Sequence, residues 1–264
     1  MRSNLLREKL DSGEPTIGTR VSSVWGGIAE LVGQSKHIDY VEFVSEYAPF
    51  DNLTLENFAR AVDLYSHMTS MIKLDAMPRQ YLATRAAGAG IQNFLFADIR
   101  GAEDAQEAVN AVRADSPSSC GHRGFTANRE SGYGYGVTPR DYVDALDNAV
   151  VMLMVEKKTC VDDLDNVLSV PGIDMVQFGP ADYSMSAGHL DDMRGADTKA
   201  AELKTIETAL SLGIQPRAEI NSAEQAKNYL AMGVRHFSIG TEMRILRNFW
   251  EDEGGKLRDI VSSV

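Results

Sequence analysis

The feature that most constrains this chain is the alternation of short β-rich apolar runs with helical patterns. The runs are Ile17–Val21, Tyr40–Val44, Met71–Leu74, Asn93–Ala97, Val150–Val155, Met175–Phe178, Gln215–Ile220 and His236–Ile239. Between most of them the apolar spacing changes to that of a helix. Ala105, Ala108, Val109 and Val112 recur at i, i+3, i+4 and i+7, which is one helix face. Thr138-Pro139 reads as an N-cap with proline at the first helical position, and Ser222 with Gln225 as a capping box. Gly213 and Gly233 read as helix stops. Eight strand–helix units in 264 residues is the arithmetic of an α/β fold of the (β/α)8 TIM-barrel type, with residues 1–264 forming a single domain. A doubly wound open sheet is the competitor. It rarely needs eight regular strands, however, and no Gly-x-Gly-x-x-Gly follows the first run.

One connection is too long for this scheme. After the helix at Ala102–Val112 comes Ser116–Gly136, rich in glycine and serine. A long irregular segment is expected to be an active-site loop or lid. Tyr133 and Tyr135 would then either reach over the mouth or pack on its rim.

Charge excludes several functions. With 38 acidic and 26 basic residues the formal charge is −12, which phosphate backbones repel and anionic lipids do not attract. Two cysteines, Cys120 and Cys160, cannot build a disulfide framework. The first residues lack an apolar leader core, and no apolar run approaches about 18 residues. The expectation is a cytoplasmic protein without nucleic-acid or membrane partners.

Barrel enzymes carry their chemistry at the C-terminal ends of the strands. Reading toward those ends, strand two leads to Glu46, strand three runs into Lys73 and Asp75, strand four into Asp98, strand five ends in Glu156 and strand six in Asp182, strand seven carries Arg217 and Glu219, and strand eight leads to Glu242. Carboxylates crowded on one rim repel unless a cation neutralises them. Hard oxygen donors without His or Cys suit Mg²⁺ or Mn²⁺. Each acid taken singly could simply cap the next helix. Glu156 and Asp182 end consecutive strands, so their side chains can converge. Between them, Phe178-Gly179-Pro180-Ala181-Asp182 reads as a strand running into a tight turn. Backbone N–H groups in such a turn form an anion-binding concavity, and Gly179 permits a ligand to approach closely.

These residues resemble the HpcH/HpaI (hydroxy-oxo-heptanedioate) aldolases, the class II, metal-dependent pyruvate aldolases, over nearly the whole chain. Gly13-Glu14-Pro15-Thr16-Ile17-Gly18-Thr19 is similar to the family's opening strand, and Glu46-Tyr47-Ala48-Pro49 to its second-strand motif. Arg123-Gly124 stands where the family has an Arg-Gly loop. The most specific stretch is Val155-Glu156, Val170-Pro171-Gly172-Ile173-Asp174 and Gly179-Pro180-Ala181-Asp182-Tyr183-Ser184. The resemblance implies Glu156 and Asp182 as ligands of a divalent metal, Mg²⁺ or Mn²⁺ foremost, with Co²⁺ or Zn²⁺ also compatible. It implies cleavage or formation of a 4-hydroxy-2-oxo acid through a metal-bound pyruvate enolate. It also implies a homo-oligomer, a hexamer, with the apolar segment Met243–Trp250 against a neighbouring subunit.

The departures from the family fall on proton transfer. Tyr47 stands where the family's motif carries histidine, and the partner aspartate's place falls near Gly88. Lys73 replaces a third-strand arginine, and Met154 a glutamine. The expected site therefore has Glu156 and Asp182 on the metal and Arg123 and Lys73 on substrate oxygens. Gly179, Pro180 and Ala181 face the substrate carboxylate, and Tyr47 and Glu46 stand at the base's position. Among the histidines only His122 falls near a plausible site. Two alternatives stay open: oxaloacetate-type decarboxylation or other chemistry of the same enolate, and a non-catalytic barrel that binds a keto acid.

Overall fold

A computed structural model describes residues 2–263. Helix α1 (Leu5–Asp11) precedes β1 (Thr16–Val21), and α2 (Gly27–Ser35), β2 (Tyr40–Val44), α3 (Asn52–Asp63) and β3 (Thr69–Leu74) follow. Next come α4 (Arg79–Gly88), β4 (Asn93–Phe96), α5 (Ala102–Val112), α6 (Pro139–Asp147) and β5 (Val151–Val155). Short α7 (Lys158–Asp162) and α8 (Leu164–Leu168) lead to β6 (Met175–Phe178), α9 (Pro180–Ala187), α10 (Ala196–Ser211) and β7 (Gln215–Ile220). The chain ends with α11 (Ala226–Ala231), β8 (His236–Thr241) and α12 (Glu242–Ser262). The strands are parallel and close in sequence order into the barrel expected, β1 pairing with both β2 and β8. Strand β3 begins two residues before its apolar run, because Thr69 and Ser70 pair with Tyr40 and Val41 of β2 despite their polarity.

Strands buried on both faces read as near-continuous apolar runs, and β2 to β6 are buried at every residue. Inside the barrel, Tyr40, Met71, Leu95, Met152, Met154 and Met175 pack together, and Leu6 of α1 closes the N-terminal end. Gly18 makes room for this layer, since a Cβ there would stand 2.3 Å from the Tyr40 ring. The interior also holds an ion pair with no exposure, Arg217 to Glu42 at 2.5 Å. The guanidinium's Nε donates to Gln177 Oε1, and Gln177 Nε2 donates to Glu219 Oε2. Arg217 is therefore a barrel-interior residue and does not stand on the rim.

The caps read from sequence form: Thr138 opens α6 with a capping box, and Ser222 and Gln225 make another ahead of α11. Two expectations need correction. The long connection after α5 lies at the N-terminal end of the barrel, away from the mouth. A segment that follows its helix and precedes the next strand must return to that end. Arg113 binds the carbonyls of Leu146, Ala149 and Gly172, just ahead of β5 and β6, and Arg129 pairs with Asp63 at the end of α3. Tyr133 and Tyr135 are exposed there, so neither covers the mouth. His122 belongs to the same connection, its amide bonded to Asn110. At the C-terminus, α12 buries only Glu242, leaving Phe249, Trp250 and Ile260 over 60% exposed, off their own barrel. No helix among the described residues is long and apolar enough to cross a membrane.

Candidate active site

The C-terminal strand ends open onto a cavity of about 300 Å³. Glu156 follows β5 directly, and Asp182 lies in the first turn of α9, so two consecutive strand–helix junctions bring both carboxylates to this cavity. The Glu156 side chain is oriented from two sides. Its Oε1 accepts the Asp98 amide at 2.9 Å, and Asp98 makes that donation from a left-handed backbone, φ 55°. Its Oε2 faces Gly179, where a Cβ would stand 2.7 Å away, so only glycine leaves this side of the carboxylate clear. Asp182 Oδ1 accepts from Lys157 Nζ at 3.0 Å, and the same ammonium pairs with Asp98.

Lys73, at the end of β3, completes the floor. Its ammonium meets Glu46 at 2.5 Å and the Tyr47 hydroxyl at 3.5 Å. Burial works to lower the Lys73 pKa, but Glu156, Glu46 and Tyr47 outweigh it and hold the group above its ordinary value. Lys73 is thus a fixed cation at neutral pH and not an amine nucleophile. Burial pushes the Glu156 carboxyl up, Lys73 and the Asp98 amide oppose the shift, and Asp182 and Glu46 add to it. Tyr47 is also pushed up, by burial first and then by Glu46 and Asp182, against the pull of Lys73. A phenol held above its ordinary pKa is a poor proton acceptor at neutral pH.

The donor set suits a hard divalent cation. Glu156 and Asp182 each leave one carboxylate oxygen without a hydrogen bond among the described residues. Among the described residues no group of three or more His, Cys, Asp or Glu side chains forms a metal cage. Two protein carboxylates, with the remaining positions left to water and substrate oxygens, is how Mg²⁺ is commonly held. The turn at β6 supplies fewer anion donors than expected. The Gly179 N–H donates to the Val155 carbonyl and Pro180 has none, so the first free amides of α9 are those of Ala181 and Asp182.

The remaining sequence candidates divide. Glu46, Tyr47, Lys73, Glu156, Asp182 and the Gly179–Ala181 turn come together. Arg123 does not join them within the chain. It is buried at the barrel's N-terminal end, bound to Glu130 at 2.6 Å and to the Tyr142 hydroxyl at 3.1 Å. Glu242 is withheld too, because its Oε1 accepts the Ser22 and Ser23 amides and anchors the loop after β1. Sequence reading missed Arg20, Arg194, Asn221, Thr241 and Arg244, which all line the cavity. Arg20 lies near the end of β1 and Arg244 in the first turn of α12, just past β8, where the rule applied to the other strands would have found them.

Residues 54–248 match the family model described as HpcH/HpaI aldolase/citrate lyase. The chain belongs to the HpcH/HpaI aldolase/citrate lyase family. It is similar to a hydroxypyruvate/pyruvate aldolase of Paraburkholderia phytofirmans, with 25% identity over 244 residues, 91% of this chain and 92% of that protein. It is similar to a 2-keto-3-deoxy-L-rhamnonate aldolase of Escherichia coli K12, with 28% identity over 240 residues, 91% of this chain and 88% of that one. A family crystal structure from Burkholderia cenocepacia J2315 superposes with a TM-score of 0.87 at 26% identity, covering 97% of this chain and 100% of that one. The chain is thus a lyase of the aldolase type.

Proposed function

We propose that this lyase cleaves, and in reverse forms, the bond between carbons 3 and 4 of a 4-hydroxy-2-oxo acid, by way of the pyruvate enolate. The observation that carries the reading is the meeting of Glu156 and Asp182 in a cavity whose floor also holds the permanently charged Lys73. When bound by Glu156 and Asp182, a divalent metal would supply a Lewis acid beside the enolate oxygen, where negative charge develops as the bond breaks. The chain's own groups do the rest. Lys73 adds a fixed positive charge against the developing oxyanion, and the Ala181 and Asp182 amides face the substrate carboxylate. Met154 and Met193 form apolar wall. No histidine lines the cavity among the described residues, Tyr47 is a poor base and Glu46 is held by the Lys73 ammonium, so the proton of the 4-hydroxyl passes to water rather than to a side chain.

The same lack of a base favours a second reading, decarboxylation of an oxaloacetate-type acid, in which the enolate forms without a hydroxyl proton to remove. Pyruvate release from a 4-hydroxy-2-oxo acid and from oxaloacetate separates the two. Each is measured after EDTA treatment and after restoring Mg²⁺ or Mn²⁺. We expect both activities to need the metal and the aldol substrate to turn over faster. Undiminished activity in EDTA would remove the metal role, and turnover of oxaloacetate alone would favour the second reading. We further expect a cytoplasmic homo-oligomer, a hexamer, in which the unpacked apolar face of α12 rests on a neighbouring copy. Light scattering that finds only monomer at micromolar concentration would contradict it.

A further inference from the structure

We propose that Lys157 is a built-in counter-cation of the metal site, which draws charge from Asp182 and keeps a divalent metal loosely held. The inference rests on the reading of Glu156 and Asp182 as metal ligands and goes beyond it to the residues that set their affinity. Lys157 and Asp98 are charged groups at the mouth that the reaction above does not use. Lys157 follows Glu156 directly, where β5 gives way to α7, and is 7% exposed. Its ammonium meets two acids. It donates to Asp182 Oδ1 at 3.0 Å and pairs with Asp98. Asp98 reaches the other ligand as well, because its amide donates to Glu156 Oε1 at 2.9 Å. One residue thus braces both carboxylates, Glu156 through its backbone and Asp182 through Lys157.

The usual outer partner of a metal ligand is an acceptor, which raises the ligand's basicity and tightens the metal. Lys157 is a cationic donor and does the reverse. It withdraws charge from Asp182 and repels a second cation beside it. The charges of the cluster fit this role. Glu46, Asp98, Glu156 and Asp182 stand against Lys73 and Lys157, four carboxylates and two ammoniums, a net charge of −2 that one divalent cation neutralises. Without Lys157 the cluster carries −3 and attracts the metal more strongly. Asp98→Asn does the opposite. It keeps the amide that holds Glu156, and asparagine accepts the left-handed backbone there, φ 55°. The cluster then carries only −1, and Lys157 belongs to Asp182 alone. The two substitutions therefore move metal affinity in opposite directions, whereas loss of a group that merely packs the strand end would weaken binding in both.

Titration with Mn²⁺, followed by the electron paramagnetic resonance of the free ion, tests the role without turnover. Lys157→Met, which keeps the aliphatic stem, is expected to lower the Kd for Mn²⁺ about tenfold, the scale of one unit charge beside a partly exposed ion. Lys157→Arg, which keeps the charge, should stay within about threefold of the wild type, and Asp98→Asn should raise Kd about tenfold. The gap between Lys157→Met and the wild type should narrow at high ionic strength, as an electrostatic effect must. Equal or weaker Mn²⁺ binding by a folded Lys157→Met overturns the counter-cation. So does unchanged or tighter binding by Asp98→Asn, a variant that leaves Lys157 in place. The parent reading fails separately. Full Mn²⁺ affinity in both Glu156→Gln and Asp182→Asn removes the metal site itself and the counter-cation with it. Tighter binding by Lys157→Met without exchange of the pyruvate methyl protons in D₂O leaves the counter-cation and removes the aldolase reading.

Discussion

Both ends of the barrel carry charged side chains and use them differently. At the N-terminal end the charges meet one another. Asp63 is clamped by Arg2 and Arg129, Asp174 is shared by Arg7 and Arg113, and Arg123 is bound to Glu130. These pairs tie α1 and the long connection after α5 to the bottom of the barrel. At the mouth Lys73, Lys157 and Arg20 are paired too, with Glu46, Asp182 and Glu219, yet Glu156 and Asp182 each keep one free oxygen in the same cavity as Arg194 and Arg244, which meet no carboxylate among the described residues. The N-terminal end also contains the larger cleft, about 640 Å³ against about 300 Å³. Volume alone would have pointed to the N-terminal end. Charges left unmatched inside one cavity mark a place prepared for a ligand, whereas matched charges mark a joint between segments.

Substitutions at the two ends should separate these roles. The largest effect is expected from Glu156→Gln, which should lower kcat/KM on the order of 10²–10³-fold or more by weakening stabilisation of the oxyanion. Metal content measured by atomic emission should fall with it, and Asp182→Asn should behave alike. The N-terminal counterpart, Asp63→Asn, should leave the rate within about threefold, since surface-type pairs act on stability. A comparable loss of rate in both would erase the distinction between the ends.

Arg123→Met should act on stability instead. Its side chain is 1% exposed, and removing it leaves Glu130 and Tyr142 without their cation. A buried pair broken on one side costs about 3 kcal/mol, to be read from urea unfolding. A collapse of kcat at unchanged stability would place Arg123 in the reaction.

The next effect is a pH dependence at the N-terminal end. His236, at the start of β8, has Nδ1 2.9 Å from the Thr16 hydroxyl. Burial, with Arg235 and Arg217 nearby, lowers its pKa from 6.5 to about 4. The unfolded chain takes up this proton at higher pH than the folded one does. Stability is therefore fully present above pH 6.5 and falls as the pH drops toward about 4. The loss should amount to about 2 kcal/mol in urea midpoints, and His236→Gln should flatten that part of the profile. An identical slope in the variant would assign it to other groups.

The smallest effect is expected at the mouth itself. Tyr47→Phe should cost less than about tenfold in rate across neutral pH, below the 10²–10⁴-fold typical of a lost general base. A loss beyond about a hundredfold, with metal retained, would make Tyr47 the base and remove the role given to water.

Much of this was legible in the chain itself. The runs at Tyr40–Val44 and Val150–Val155 show the β-rich character of strands buried on both faces, and eight such runs alternating with helices leave few folds open. Glu156 and Asp182 could be singled out because a barrel places every strand's C-terminal end on one rim, so position along the chain becomes position in space. The same rule, applied to the connection after α5, would have sent Arg123, His122 and Tyr133 to the opposite end, because a segment after a helix cannot return to the rim its strand has left. The tertiary structure alone decided which rim charges reach the cavity. Arg217 turns inward to Glu42, Glu242 turns to the amides of Ser22 and Ser23, and Arg194 arrives from a connection with no local signal. Sequence period determines which residues end strands. The direction each side chain takes there depends on partners distant in sequence, such as Glu42 and Arg217, that only closure of the barrel brings together.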